Sequence, residues 1–348
     1  MKTKANSRLY IFGAGLSHSY NKDIFPLTNN LIKKAFDLKL LEKKETLRAF
    51  VSDIFNESID NINFEKVASF LYNNPFSSEG EPKQTYDLLY IELISIISLI
   101  YGNPNLVSAD TEKWKIDTLN AFSTHFQKSD STIISFNYDL LIEHYLQKNT
   151  QWNPIYGYHM PFYPPFSYQP YNDHIQRIGG SILKLHGSLN WGLPPEEILN
   201  AKYEKLILDT ENYSETIFRT KYDSLYFTNN KLYPYLIPPV AGKIYENFIM
   251  RNLWRKAKAA MQIYPEIHII GYSLPESDTS VEFLFRLGSK ETAPFGGQKI
   301  IHIVDPCIRN DKESEFETIL KAGNSKNLVK IHKMDGMEYL KSLNYQTD

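Results

Sequence analysis

Short runs that are apolar on both faces recur along the chain, and several end in glycine or a polar residue: Leu9–Phe12, Thr132–Phe136, Ile182–Leu185, Ile267–Ile270, Ile300–Val304 and Leu328–Ile331. A strand that alternates apolar and polar positions has one wet face. These runs do not alternate, so they read as central strands of a parallel sheet covered on both sides. Between most of them the period changes to that of a helix. In Phe248–Tyr264, residues Leu253, Trp254, Ala257, Ala260, Met261 and Tyr264 fall at spacings of three and four, with Arg251, Arg255, Lys256 and Lys258 largely elsewhere. Strands alternating with amphipathic helices predict an α/β fold: a Rossmann-like, doubly wound, mostly parallel sheet of about six strands.

Two stretches interrupt the alternation. Residues 27–128 carry a mainly helical pattern too long for a crossover and predict a helical insertion or subdomain. Residues 151–181, which include HMPFYPPFSYQPY, are rich in Pro and Tyr and predict a long ordered loop. A second Tyr-rich stretch runs from Tyr203 to Tyr245. No internal repeat appears, so residues 1–348 are read as a single domain bearing these two insertions. The most apolar run, Tyr90–Tyr101, contains Glu92 and falls short of the roughly 20 residues of a membrane span, which points to a buried helix.

Composition adds three constraints. A formal net charge of -2 gives no global attraction to nucleic acid or anionic lipid. The single cysteine, Cys307, excludes an intrachain disulfide and any zinc site built on paired cysteines, so no metal is expected. The polar N-terminus shows no secretory signal, which together with the lone cysteine suggests a cytoplasmic protein.

The candidate chemistry lies just after the strands. Phe12–Gly13–Ala14–Gly15–Leu16–Ser17 follows the first, where glycines permit a tight turn and let backbone N–H groups approach a pyrophosphate at a helix N-terminus. The full GxGxxG spacing is absent, since His18 takes its last position. Asn137 and Asp139 follow the second strand; Asn137 can hold a ribose hydroxyl or a water, and Asp139 can equally cap the helix Leu140–Gln147. His186 follows the third and can exchange protons near neutral pH, with Gly187 leaving room for a ligand. Gly271 and Ser273 follow the fourth, and Asp305 the fifth, where it suits either a ribose diol or an Asp-Pro turn. Each residue alone has an ordinary structural explanation. Five parallel strands would bring all of them to one edge, where such sheets bind ligands.

The segments GAGLS (Gly13–Ser17), FNYD (Phe136–Asp139), KLHGSLNW (Lys184–Trp191) and GYSLPESD (Gly271–Asp278) resemble, in this order, the sirtuin-like domains of bacterial anti-phage defence proteins. Asn63–Phe64–Glu65 is similar to an element of that family's helical region. The resemblance implies a Rossmann-like NAD+-binding domain that cleaves NAD+ to nicotinamide and ADP-ribose. By motif, Asn137 and His186 match the family's catalytic pair and Asp139 its accompanying acid. Gly13, Ala14, Gly15 and Ser17 match the pyrophosphate loop, and Gly271 and Ser273 a dinucleotide-contacting turn. Protein-deacylating sirtuins carry four zinc-binding cysteines and a Gln where this chain has Phe136, so the departures favour plain NAD+ hydrolysis.

The resemblance also implies an abortive-infection effector that depletes cellular NAD+ when triggered. It would be a homo-oligomer or would work with a partner such as a HerA-type ATPase or an Argonaute-type sensor; direct nucleic-acid binding is not expected. The alternative is a non-catalytic module that holds NAD+ or ADP-ribose and regulates such an assembly.

Overall fold

The computed structural model describes residues 7–55, 62–73, 83–101, 111–160, 180–193, 206–208, 226–227, 230–231, 233–237, 248–276, 278–290 and 297–345. The first apolar run forms β1 (Leu9–Phe12), followed by α1 (Ala14–Tyr20). The helical insertion supplies α2 (Leu31–Asp37), α3 (Glu45–Phe55), α4 (Phe64–Asn73), α5 (Lys83–Tyr101) and α6 (Lys113–Lys128). Next come β2 (Thr132–Ser135), α7 (Leu141–Asn149), α8 (Pro154–Gly157), β3 (Ser181–Lys184) and β4 (Gly187–Leu193). Short strands β5 (Ile207–Leu208), β6 (Tyr226–Phe227), β7 (Asn230–Lys231) and β8 (Tyr233–Leu236) precede α9 (Phe248–Ile263). The chain ends in β9 (Glu266–Ile270), α10 (Thr279–Gly288), β10 (Ile300–Val304), α11 (Asn310–Lys321), β11 (Leu328–His332) and α12 (Gly336–Ser342).

The six predicted strands pair in the order β11-β10-β9-β1-β2-β3, and every pair is parallel. The chain lays β1, β2 and β3 outward in one direction, then returns to the other side of β1 for β9, β10 and β11. This is a Rossmann-like doubly wound sheet, with its switch point between β1 and β9. All residues of β1 and β2 are buried, as their uninterrupted apolar character demands.

A crevice opens where neighbouring strands turn opposite ways, and here its floor is built from glycine. Gly13 N–H donates to Ile270 O (3.0 Å) and Gly15 N–H to Gly271 O (2.9 Å). A Cβ on Gly13 would lie 2.4 Å from Gly271 O, and one on Gly15 would lie 2.8 Å from Gly271 Cα. Gly271 has φ +66°, and its own Cβ would lie 2.3 Å from Leu16 N. The two turns therefore interlock backbone against backbone. This changes the reading of Gly13 and Gly15: their N–H groups are engaged across the switch point, so the glycines serve close approach between turns and are not themselves donors to a pyrophosphate.

Other expectations shift in detail. The helix expected at Leu140–Gln147 starts one residue later, because the Asp139 carboxylate accepts Leu141 N–H (3.0 Å) just ahead of it. Within the Pro/Tyr-rich 151–181, Asn153 accepts Ile155 N–H (2.9 Å) and Pro154 opens the four-residue α8; residues 161–179 lie outside the described residues. The stretch after His186 turns into a small antiparallel sheet, β5-β4-β8, which periodicity did not indicate. Gly187 makes the turn with φ +80°, and the space a Cβ would fill holds the Tyr235 carbonyl at 2.0 Å. The side of Gly187 that a Cβ would occupy is thus taken by β8. No helix among the described residues is long and apolar enough to cross a membrane, and Tyr90–Tyr101 lies within α5, where Leu93, Ile97 and Ile100 are fully buried.

Gly271→Ala is expected to destabilise the chain by about 2–4 kcal/mol, combining a positive φ with overpacking against Leu16. Chemical denaturation measures it, and an unchanged midpoint would contradict the interlock.

Candidate functional site

The carboxyl edge of the sheet gathers its polar side chains into two groups. The inner group is almost wholly buried: Asn137 is 8% exposed, His186 4%, Ser17 2% and Asp278 1%. Asn137 Nδ2 donates to Ser17 Oγ (3.1 Å), which ties the loop after β2 to the first turn of α1. Its N–H donates to Ser135 Oγ (3.2 Å). Asn137 Oδ1, also buried, has no hydrogen-bond partner among the described residues. A buried acceptor left unpaired costs on the order of 1–3 kcal/mol, so its retention calls for an explanation.

His186 stands on the other side of the group. Its Nε2 lies 3.2 Å from Asp278 Oδ2, and Tyr272 Oη donates to the same oxygen (3.1 Å). Asp278 occupies the N-cap position of α10, where aspartate normally bonds the helix's own amides. Its side chain makes no such bond. The carboxylate is instead turned inward and fixes a histidine and a tyrosine. Phe136 packs against both, with ring centroids 5.2 Å from His186 and 4.5 Å from Tyr272. Ile237, the residue after β8, bonds both loops: its N–H donates to His186 O (2.9 Å), and Tyr138 Oη donates to its carbonyl oxygen (3.0 Å).

Asp139 lies beneath this group. Burial pushes its carboxyl above the ordinary range, while Lys184, Leu141 N–H and the Ser17 hydroxyl act in the opposite direction. Lys184 is itself buried. Its Nζ bonds Glu143 Oε1 (2.9 Å) and the carbonyl oxygens of Tyr138 and Asp139. Tyr158 Oη donates to Glu143 Oε1 (3.2 Å), and Ser188 Oγ donates to Asn190 Oδ1 (2.7 Å). This network holds the backbone that presents Asn137.

The outer group lines a cavity of about 450 Å³. Its walls include Ser273 and Asp305 from the strand ends and Glu65 from the helical insertion. Asn63 Oδ1 accepts Glu65 N–H (2.7 Å) at the start of α4, which aims Glu65. Asp305 Oδ1 accepts Cys307 N–H (2.8 Å), so the Asp-Pro turn and a place beside the cavity are both true of it. Ala14 is half-buried at the start of α1, between the two interlocked glycines.

A family model for the SIR2-like domain matches residues 131–326. The chain belongs to the SIR2-like family. The matched span runs from just before β2 to just before β11, and so contains Asn137, His186, Gly271 and Asp278. Three solved structures share 11–12% identity with this SIR2-like chain. One is Sir2 with an inhibitor, 2'-O-acetyl-ADP-ribose and a deacetylated peptide (TM-score 0.40; 97% of this chain and 92% of that one covered). Another is a mutant of Sir2 homologues in complex with 2'-O-acetyl ADP ribose (TM-score 0.42; 97% and 90%). The third concerns the structural basis of sirtuin substrate affinity (TM-score 0.41; 97% and 93%). No curated protein sequence matches.

Sequence reading missed Asp278 and Tyr272 as parts of the site. Both lie in the GYSLPESD segment, but the spacing of seven from Gly271 to Asp278 carries no periodic signal. An aspartate before a helix reads as a cap. Only the fold shows that its side chain faces His186.

The buried Lys184–Glu143 pair predicts an asymmetry in stability. Glu143→Leu or Lys184→Met alone leaves one buried charge uncompensated and is expected to cost about 3–5 kcal/mol. The double variant Lys184→Met/Glu143→Leu should cost less than the sum. Additive losses in a double-mutant cycle would contradict the coupling.

Proposed function

We propose that this SIR2-like chain binds NAD+ at the β1/β9 switch point and hydrolyses its nicotinamide–ribose bond. The observation that carries the proposal is the buried, unpartnered Asn137 Oδ1, at the same strand edge as the Asp278-supported His186. A hydroxyl-bearing substrate such as the nicotinamide ribose satisfies that acceptor. The glycine floor, Ala14 and the first turn of α1 form the surface beneath the pyrophosphate, whose charge the helix N-terminus favours. Gly271 and Ser273 border the dinucleotide, and Asp305 with Glu65 suits a ribose diol in the outer cavity.

Nicotinamide leaves as a neutral molecule from a cationic glycosidic nitrogen and needs little acid assistance. The protein's tasks are orientation, charge stabilisation and proton removal. Asn137 orients the ribose hydroxyls and the attacking water. With Nε2–H facing Asp278, His186 takes a proton at its other ring nitrogen from that water or from a ribose hydroxyl. Asp278 sets the orientation of the imidazole and stabilises its protonated form. Asp139 and Lys184 hold the loop that carries Asn137 and take no part in proton transfer.

Burial of Asn137 and His186 supports a resting state that admits substrate only after the enclosure opens. This agrees with an effector of anti-phage abortive infection, kept slow until a partner or self-assembly opens it. A cytoplasmic setting supplies the NAD+ such an effector depletes. Residues 27–128 then act as a cover built onto the same domain.

Nicotinamide release by the purified full chain, followed chromatographically with and without candidate partners, tests the reading. Asn137→Ala and His186→Ala should each lower turnover by about 10²–10⁴-fold with the melting temperature retained. Asp278→Asn should lower kcat more than it raises KM and shift the pH profile. Equal release by the parent and both alanine variants would overturn the catalytic assignment. A rise in melting temperature with NAD+ but no nicotinamide release would replace hydrolysis with a ligand-holding role.

A further inference from the structure

A second constellation lies on β9 and β10, away from the carboxyl ends of the strands. Glu266 and His268 are two residues apart on β9 and so share a face. His302 stands opposite His268 on β10 in the parallel register. His268 Nε2 lies 3.3 Å and His302 Nε2 3.6 Å from Glu266 Oε1, and the three ligand atoms fall within 4.8 Å of one another.

We propose that Glu266, His268 and His302 form a binding site for a divalent first-row transition metal, with Zn2+ as its natural probe. Tetrahedral Zn2+ with bonds of about 2.0–2.2 Å has ligand–ligand edges of about 3.3–3.6 Å, which spans both Nε2–Oε1 distances. His268 is fully buried, and its Nε2 makes no aligned hydrogen bond despite the nearby carboxylate. That atom is a desolvated donor of the kind a metal ligand requires.

The surrounding groups are arranged as a metal site needs. His268 Nδ1 lies 2.9 Å from Tyr339 Oη of α12, and His302 Nδ1 lies 3.0 Å from His332 Nε2 of β11. With both imidazoles neutral and protonated at Nδ1, each donates to that neighbour and turns an Nε2 lone pair toward Glu266. Arg8 Nε donates to the second carboxylate oxygen (3.1 Å), leaving Oε1 for the metal. Such outer partners fix ring orientation and tautomer. The His268 and His302 rings stack at 4.7 Å with an 8° interplanar angle, so binding requires them to tilt toward each other. The half-open side formed by Glu266 (33% exposed) and His302 (12%) gives the ion its entry and leaves a fourth position for water.

The expectation of no metal rested on the lone cysteine, and it excludes only cysteine-built sites. Two imidazoles and a carboxylate form a different donor set, suited to Zn2+ and its neighbours. A metal here clamps β9 to β10 and, through Tyr339, seats α12 against the sheet. The site lies off the crevice, so it is independent of the NAD+ proposal.

The test uses the full chain after chelator treatment, titrated with Zn2+ against a chromophoric chelator and analysed for bound metal. The parent is expected to take up a single zinc and to melt at higher temperature when loaded. Co2+ in its place should give the d–d absorption of a tetrahedral site. Glu266→Gln and His302→Ala should lose the uptake and the thermal shift while keeping the parent's circular dichroism. Tyr339→Phe or His332→Ala should weaken binding by about 10–100-fold. Cys307→Ser and Asn137→Ala should bind as the parent does. No uptake by the parent, or parent-like uptake by both Glu266→Gln and His302→Ala, would overturn the site, as would loss of binding in Cys307→Ser.

Discussion

The contact between two backbone turns, Gly13–Gly15 after β1 and Gly271 after β9, is the constraint on which the rest of the candidate site depends. Side chains at these positions would collide with main-chain atoms, so the two turns meet only as glycine. Their meeting decides how closely α1 approaches the β9 turn. Ser17, one turn into α1, is thereby brought under Asn137 from β2. Tyr272, the residue after Gly271, is brought against Phe136, and the chain then reaches Asp278 close to His186. A single tight approach at the switch point aligns residues from four strand ends.

The sheet itself was legible because its physics is local. Strands covered on both faces are largely apolar, so β1, β2, β3, β9 and β10 announce themselves within one or two residues, whereas β11 is a partly exposed edge strand carrying Lys330 and His332, not the central strand its run suggested. The common carboxyl edge follows from parallel order. What could not be read is whatever depends on two distant segments meeting. Gly187 looked like an opening for a ligand because a glycine after a histidine leaves space; the side a Cβ would occupy is taken by Tyr235, about fifty positions away in the chain. Gly13 and Gly15 looked like amide donors for a pyrophosphate, but Ile270 and Gly271 offer carbonyls that satisfy those amides first. Asp278 has the residue type of a cap, yet its carboxylate faces His186 from another segment. In each case the residue type was informative and its partner was not, because partner choice lies in tertiary packing.

The same limit explains the metal constellation. Histidines spaced widely along the chain carry no metal-ligand signature, and nothing in the pattern around Glu266 distinguishes a strand's first residue from a surface carboxylate. The register of β9 with β10 is what sets His268 beside His302, and strand alternation sets Glu266 on their side. A cysteine count could speak only to the zinc chemistry of paired thiolates. Histidine and carboxylate sites in sheets become visible once register is known.

Enclosure links the site's geometry to control. His186 receives a backbone hydrogen bond from Ile237, and Ile237 accepts one from Tyr138, so the segment just after β8 is bonded to both loops that carry the proposed chemistry. Moving that segment disturbs the main chain at His186 and the side chain of Tyr138 together, whereas Lys184 grips the carbonyls of Tyr138 and Asp139 from below. The floor is thus held by a buried ion pair and interlocked glycines, and Ile237 adds one hydrogen bond to each of the two loops. Under the proposed NAD+ cleavage, this support from below keeps Asn137 beside Ser17, while Asp278 fixes His186.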